Sequence, residues 1–228
     1  MVKLKPELVV FDMDGVLVDV RESFHRTILQ TVRHFTGRRV SRAQIQSWKN
    51  RSGYNDDWKL TTDWVRSLGG RASYAEVKHQ FERFYWGEKD DGNVARERWL
   101  LTRERLRSWA RRADLGIFTG RSRRELQHAL ERFRAQCYFR RTVTMDDVRR
   151  PKPDPEGLLR ILNGGDPARA LYLGDNIDDA LAARRCEMDF IAVLPRNSEA
   201  RRLRAARLRR AGASMILDNV NQLERWLE

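Results

Sequence analysis

The chain has 228 residues, and its hydrophobic fraction of 41% is sufficient for a packed core and excludes global disorder. Lys and Arg outnumber Asp and Glu by 45 to 32, which gives a formal net charge of +13. Only seven of the basic residues are lysines, and the arginines are spread along the whole chain. This distribution favours a general compositional bias over a dedicated nucleic-acid surface.

Several features indicate a cytoplasmic protein. No run approaches the roughly 18 apolar residues of a membrane span, and residues 1–10 lack the long apolar region and cleavage site of a signal peptide. Cys137 and Cys186 are far apart and match no metal-binding or disulfide spacing, so we expect two buried thiols.

The first stretch that indicates chemistry follows an apolar segment at residues 8–11, which is short enough for a buried strand. Residues 12–19 read DMDGVLVD, and Gly15 breaks the strand where the chain must turn. Because residues two apart on a strand point to the same face, Asp12 and Asp14 should project together from the strand's end. Two carboxylates in this position repel, so the pattern indicates a divalent cation or a shared proton.

The next segment, residues 20–98, is predicted to be entirely helical. Apolar residues at helical spacing predict a helix over about 21–36, and Ser41 and Ser73 each begin a capping-box pattern. A polar turn at residues 53–58 precedes another helix, and no convincing strand is present. We therefore predict an inserted helical domain over residues 20–98.

From residue 99 onward, apolar strands alternate with helices, which predicts a doubly wound, Rossmann-like parallel α/β sheet. Residues 1–19 plus 99–228 would form this core. Strands are expected at residues 115–118, 142–145, 170–173, 190–193 and 214–217, and a last amphipathic helix is expected around Val220 and Leu223. Within the other helices, we expect Leu158, Leu159 and Leu162 to form the apolar face of one helix. Leu203, Ala206 and Ala213 are expected near the buried stripe of an Arg-rich helix near 198–211.

Polar residues follow three of the predicted strands. In open α/β sheets, ligands bind beyond the carboxyl ends of the strands. We therefore expect one site built from Asp12, Asp14, Thr119, Gly120, Asp175 and Asp179. Lys152 would join it from a loop between the strand that ends before Thr119 and the strand that ends before Asp175.

These motifs, in this order, resemble those of the haloacid dehalogenase (HAD) superfamily, most of whose members are Mg²⁺-dependent phosphatases. Residues 12–19 match motif I, DxDGx[LI]xD, and Thr119 falls at the Ser/Thr of motif II. Lys152, between two prolines, matches motif III, and residues 174–179 match the GDxxxD pattern of motif IV. The helical block resembles the C1 cap of subfamily IA, which includes phosphoglycolate phosphatase and beta-phosphoglucomutase. One departure is the sequence RWLLT at residues 98–102, where those relatives often carry a Pro-Gly turn.

The resemblance implies a role for each motif residue. Asp12 would be the nucleophile, Asp14 the general acid and base, and Thr119, with the backbone at Gly120, would bind phosphoryl oxygens. Lys152 would stabilise the charge of the transition state. Haloacid dehalogenases lack the second aspartate, so Asp14 favours phosphoryl transfer. The implied Mg²⁺ ligands are Asp12, the Asp14 backbone carbonyl and Asp175, supported by Asp179 directly or through water.

The expected substrate is a small phosphorylated metabolite. Arg51, Tyr54 and Asn55 could face the active site and recognise the leaving group, or they could belong to a solvated turn. A phosphomutase that transfers a phosphoryl group between two sugar hydroxyls is the first alternative. A phosphonate hydrolase would need a Schiff-base lysine, for which Lys49 and Lys59 are available. A non-catalytic or nucleic-acid-binding protein that uses the Arg-rich helix is disfavoured because the catalytic set is intact.

Overall fold

The computed structural model describes residues 5–49, 51, 53–54, 56–198 and 200–227. The chain divides into two compact units. One comprises the residues up to Val18 together with those from Trp99 onward, and the other comprises Asp19–Arg98. Within the described residues, no helix is both long and apolar enough to cross a membrane.

A six-stranded sheet forms the core of the first unit, and every pairing in it is parallel. In chain order the strands are β1 (Leu8–Phe11), β2 (Val18–Asp19), β3 (Arg98–Trp99), β4 (Asp114–Phe118), β5 (Phe139–Val143), β6 (Ala170–Gly174), β7 (Asp189–Val193) and β8 (Ala213–Leu217). The sheet order is β5-β4-β1-β6-β7-β8, and the two-residue strands β2 and β3 pair separately. The predicted α/β class and parallel sheet are confirmed.

The centre of the sheet explains why β1 and β6 are almost entirely apolar. β1 lies between β4 and β6, with Phe11 paired to Ile117 on one side and to Leu173 on the other. Every residue of β1 and β6 is buried. Strands covered on both faces require continuous apolar runs, and LVVF and ALYLG are such runs.

The second unit is helical and consists mainly of α1 (Phe24–Thr36), α2 (Arg42–Lys49), α3 (Asp57–Ser67) and α4 (Tyr74–Trp86). The predicted capping box is present at the start of α4, where the Ser73 hydroxyl accepts from the Glu76 N–H and the Glu76 carboxylate accepts from the Ser73 N–H at 2.8 Å. Phe24 packs against Tyr85 inside the unit, with ring centroids 4.4 Å apart.

The sheet unit contains α5 (Arg103–Trp109), α6 (Arg123–Arg132), α7 (Glu156–Leu162), α8 (Ile177–Arg185) and α9 (Arg201–Ala211). α8 buries three small residues, Ala180, Ala182 and Ala183, which allow close approach to the rest of the core. The carboxyl ends of the strands and the starts of α6 and α8 together position the candidate site described below.

Some local predictions were wrong. Leu159 is 52% exposed because Leu158, Ile161 and Leu162 provide the buried face of α7. Leu203 is 53% exposed and Ala206 is also exposed, because the buried stripe of α9 consists of Ala205, Leu208 and Ala211.

Three further expectations also need correction. The strand expected at residues 142–145 spans Phe139–Val143, with buried apolar residues at both ends and exposed or partly buried polar residues between them. The last segment, Val220–Arg225, is a 3₁₀ helix that buries Val220 and Leu223. Cys186 is buried, but Cys137 is exposed.

Candidate active site

Motif I begins directly at the end of β1. The Asp12 N–H donates to the Leu173 carbonyl at 2.8 Å, so Asp12 continues the pairing with β6 while its side chain is buried. Gly15 has a φ of +79°, and a Cβ at this position would lie 2.6 Å from an Asp175 carboxylate oxygen. The turn therefore needs glycine both for its backbone conformation and for the approach of Asp175.

The Lys152 ammonium group lies between two of the predicted acidic residues. Its Nζ donates to Asp12 Oδ1 at 2.8 Å, to Asp179 Oδ1 at 2.7 Å and to the Tyr172 hydroxyl at 2.8 Å. An ammonium group has three donors, so this buried lysine is fully satisfied. Tyr172 also donates to Asp179 Oδ1 at 2.8 Å and thereby fixes the lysine and the carboxylate relative to each other.

The Asp179 carboxylate is held from both sides. Its Oδ1 accepts from Lys152 and Tyr172, and its Oδ2 accepts from the backbone N–H groups of Asp175 and Asn176 at 3.2 and 3.1 Å. A Cβ at residue 174 would lie 2.5 Å from the Asp179 Cβ, so Gly174 makes room for this side chain. Four hydrogen bonds make Asp179 an organising residue of the site.

The acidic cluster has a clear electrostatic consequence. The pKa of Asp12 is raised to about 8. Burial is the largest cause, Lys152 opposes the rise, and the nearby carboxylates of Asp179, Asp14 and Asp175 contribute to it. Burial by itself lowers the pKa of Lys152, but Asp12 and Asp179 outweigh burial and raise it. The lysine therefore stays charged, and Asp12 needs further positive charge to ionise near neutral pH.

The loop after β4 contains the motif II residues. The Thr119 N–H donates to the Val143 carbonyl at 3.0 Å, and the Thr119 hydroxyl oxygen accepts from the Arg121 N–H at 3.1 Å. This arrangement leaves the hydroxyl proton available as a donor. Gly120 lies between these two residues, and Arg121 is followed by Ser122, which begins the capping box of α6.

Sequence reasoning missed three side chains of the site. Arg121 binds Asp14 through two nitrogens, and Tyr172 binds Lys152 and Asp179. Arg204, from the Arg-rich helix α9, reaches the Asp175 carbonyl at 3.3 Å and its carboxylate at 3.7 Å. The sequence offered two signals for these side chains. Tyr172 is a polar residue inside the apolar run ALYLG, and Arg121 follows Thr119 by two positions.

The structure thus brings Asp12, Lys152, Asp175 and Asp179 together, and the Arg121–Asp14 pair links motif II to motif I. One carboxylate oxygen each from Asp12, Asp175 and Asp179 lies within 4.8 Å of the others, a spacing that could hold a metal ion.

The predicted substrate-recognition residues belong to the helical unit. The Arg51 guanidinium lies 4.5 Å from the Trp48 ring centroid, and the Tyr54 ring packs edge-on against Trp48 at 5.2 Å. The Tyr54 hydroxyl donates to Asp63 at 3.2 Å. These contacts are internal to the unit, and Asn55 lies outside the described residues. Their role in substrate recognition stays a prediction.

Comparison with known proteins identifies the family. The sequence matches the haloacid dehalogenase-like hydrolase family over residues 9–193. The chain belongs to this family. Membership confirms the resemblance seen in the motifs, and with it the prediction that the protein is an enzyme of the hydrolase class.

Two curated relatives and one solved structure show what the chain is similar to. A pyrophosphatase PpaX of Bacillus velezensis is 28% identical over 179 residues, which cover 77% of each chain. An imidazoleglycerol-phosphate dehydratase of Phytophthora nicotianae is 31% identical over 188 residues, or 78% of this chain. The chain spans only 41% of the length of that relative. A crystal structure of a predicted phosphoglycolate phosphatase from Haemophilus somnus 129pt has the same fold, with a TM-score of 0.78 at 19% identity and 97% coverage of each chain.

Proposed function

We propose that the protein is a Mg²⁺-dependent phosphatase that hydrolyses a small phosphate monoester through an aspartyl-phosphate on Asp12. The observation that carries this proposal is the convergence of Asp12, Lys152, Asp175 and Asp179 at the carboxyl end of the sheet, in a chain of this family. The names of the PpaX relative and of the Haemophilus structure support phosphoryl-group chemistry.

The donor set suits Mg²⁺, which prefers oxygen ligands. Asp179 already accepts four hydrogen bonds, whereas Asp12 Oδ1 accepts one from Lys152. We therefore assign the metal ligands to Asp12, Asp175 and the Asp14 backbone carbonyl, with Asp179 holding this shell in place. When bound, Mg²⁺ would supply the positive charge that favours ionised Asp12 and that neutralises the phosphate dianion.

Each side chain of the site would have a separate role in the reaction. The Asp12 carboxylate attacks phosphorus while Asp14 protonates the leaving oxygen, and Asp14 then takes a proton from the water that hydrolyses the acyl phosphate. The Thr119 hydroxyl and the Gly120 N–H would donate to phosphoryl oxygens. Lys152 adds positive charge next to the nucleophile throughout.

The helical unit would act as a cap that recognises the leaving group, and Arg51, Tyr54 and Asn55 are its candidate residues. Their role is tested by the effect of Arg51→Ala on KM for the best natural substrate. Asp14 is compatible with a phosphomutase as well, in which a second sugar hydroxyl replaces water. Slow hydrolysis of the phospho-enzyme combined with sugar-phosphate isomerisation would identify that alternative.

The decisive experiment measures p-nitrophenyl phosphate hydrolysis with Mg²⁺ and with EDTA for the wild type, Asp12→Asn and Asp189→Asn. Asp189 is an exposed aspartate at the amino end of β7, so it serves as a matched control. We expect metal-dependent turnover that is abolished by Asp12→Asn and retained by Asp189→Asn. A panel of phosphometabolites should follow, and it should include pyrophosphate because of the PpaX relatives. A folded wild type that hydrolyses no member of the panel would contradict the proposal.

A further inference from the structure

Arg121 makes an unusual contact with the predicted general acid. Its Nε donates to Asp14 Oδ1 at 2.8 Å, and its Nη2 forms an ion pair with the same oxygen at 2.7 Å. The Arg121 side chain is only 1% exposed, whereas that of Asp14 is 23% exposed. A buried, permanently charged group therefore holds one oxygen of a partly accessible carboxyl group.

This geometry divides the two oxygens of Asp14 between two tasks. Within the described part of the chain, the hydrogen bonds to the Asp14 side chain all go to Oδ1, so Oδ2 is left for chemistry. A guanidinium has no acceptor and does not lose its proton, so it cannot take the proton that Asp14 must carry. Oδ2, the oxygen that Arg121 does not contact, is thus the one that can face a bound substrate.

We propose that Arg121 is a positioning residue that anchors Asp14 Oδ1 and so presents Oδ2 to the leaving group. This inference rests on the proposed phosphatase function and extends it to a residue outside the motif pattern. Arg121 is well placed for the task because its own backbone N–H binds the Thr119 hydroxyl at 3.1 Å. The same residue therefore orients the predicted phosphoryl-binding hydroxyl and the predicted acid.

The proton balance of the two steps makes the proposal specific. In the first step a bond forms between an Asp12 carboxylate oxygen and phosphorus, the bond from phosphorus to the leaving oxygen breaks, and the proton of Asp14 Oδ2 passes to that leaving oxygen. In the second step a water oxygen bonds to phosphorus, Asp14 Oδ2 takes one proton from that water, and the bond from Asp12 to phosphorus breaks. Asp12 is restored as a carboxylate and Asp14 as an acid.

A purely structural role for Arg121 makes a different prediction. Arg121 also lowers the pKa of the buried Glu125, so its loss could weaken the start of α6. A weakened loop would slow phosphoryl transfer from every substrate to a similar degree. Loss of acid positioning would slow only those substrates whose leaving oxygen must be protonated.

The test compares Arg121→Met, Arg121→Lys and the control Arg123→Met, using two substrates under single-turnover conditions with Mg²⁺. Arg123 is an exposed arginine two residues after Arg121, at the start of α6, and it pairs with Asp147. p-Nitrophenolate leaves without a proton, whereas the alkoxide of a simple alkyl phosphate needs one. We expect Arg121→Met to slow transfer from the alkyl phosphate by about 100-fold and from p-nitrophenyl phosphate by less than about threefold, with KM changed little. Arg121→Lys should recover part of the loss, and Arg123→Met should match the wild type on both substrates.

A double-mutant comparison keeps the test independent of folding defects. If Arg121 acts through Asp14, adding Arg121→Met to Asp14→Asn should cause no further loss of alkyl phosphate cleavage. Equal slowing of both substrates, or additive losses in the double variant, would overturn the proposal. Because the wild type and Arg123→Met report the basal activity in the same assay, a failure of the proposed function is distinguishable: neither would then cleave either phosphate.

Discussion

The most informative perturbation of the site is Lys152→Met, because Lys152 separates two buried carboxylates. Its Nζ bonds to Asp12 at 2.8 Å and to Asp179 at 2.7 Å, and methionine has a similar length without the charge. Removing one partner of a buried ion pair typically costs about 3–5 kcal/mol. We therefore expect the free energy of unfolding to fall by about this amount in EDTA, which prevents a metal ion from replacing the lost charge.

A second substitution, Asp12→Asn, tests this expectation by comparing its effect with and without the lysine. Without the lysine, the oxygens of Asp12 and Asp179 face each other within 4.8 Å. Two unit charges at that separation repel by about 3 kcal/mol at an effective dielectric constant of about 20. Asp12→Asn removes this repulsion, so it should stabilise the Lys152→Met protein by about 3 kcal/mol. In the wild type the same change should stabilise less than it does in the Lys152→Met protein, because it also removes the attraction between Asp12 and Lys152.

Urea unfolding, followed by circular dichroism above pH 8, measures all four proteins, since wild-type Asp12 is ionised there. Loss of the lysine can only raise the pKa of Asp12 further, so protonation relieves part of the repulsion and the stabilising effect should shrink as the pH falls. If Asp12→Asn raised the stability of the Lys152→Met protein no more than it raises that of the wild type, the electrostatic reasoning would be refuted.

Two further predictions concern residues that support the site. Tyr172→Phe removes hydrogen bonds to Lys152 and Asp179, so we expect kcat of the Mg²⁺-dependent reaction to fall about tenfold while the fold is retained; an unchanged kcat would show that the hydroxyl does not position the lysine. Glu125 is buried, and burial raises its pKa from 4.5 to about 7 despite the opposing hydrogen bonds from Ser122 and the charge of Arg121. Because the folded pKa lies above the unfolded value, the contribution of Glu125 to stability is present below pH 4.5 and is lost as the pH rises through about 7. This loss is at most about 3 kcal/mol, and Glu125→Gln should remove it from unfolding curves measured across that range; an identical pH dependence in the variant would contradict the assignment.

The sequence predicted those features that depend on short stretches of chain. Apolar runs such as ALYLG predicted the buried strands, and the capping box at Ser73 predicted the start of α4. Polar residues directly after the strands indicated a common site, because parallel strands present their carboxyl ends at one edge of the sheet.

The features that were missed depend on tertiary partners. Tyr172 is a buried strand residue whose hydroxyl is useful only because Lys152 and Asp179 reach it from other elements. Arg121 is part of the site because it binds Asp14, which is 107 residues earlier in the chain. In the Arg-rich helix α9, Leu203 was predicted to lie on the buried face. Burial depends on which residues contact the core of the sheet unit, and in α9 these include Ala205 and Leu208.

The most direct test of the central claim is to trap the phosphoryl group on the protein. The wild type is mixed with Mg²⁺ and a phosphate ester, quenched in acid within one turnover, and digested, and the peptides are analysed by mass spectrometry. The account predicts one phosphoryl group on the peptide that contains Asp12, and none at that position in Asp12→Asn. Substrate turnover by the wild type without phosphoryl transfer to Asp12, or with transfer to another residue, would contradict it.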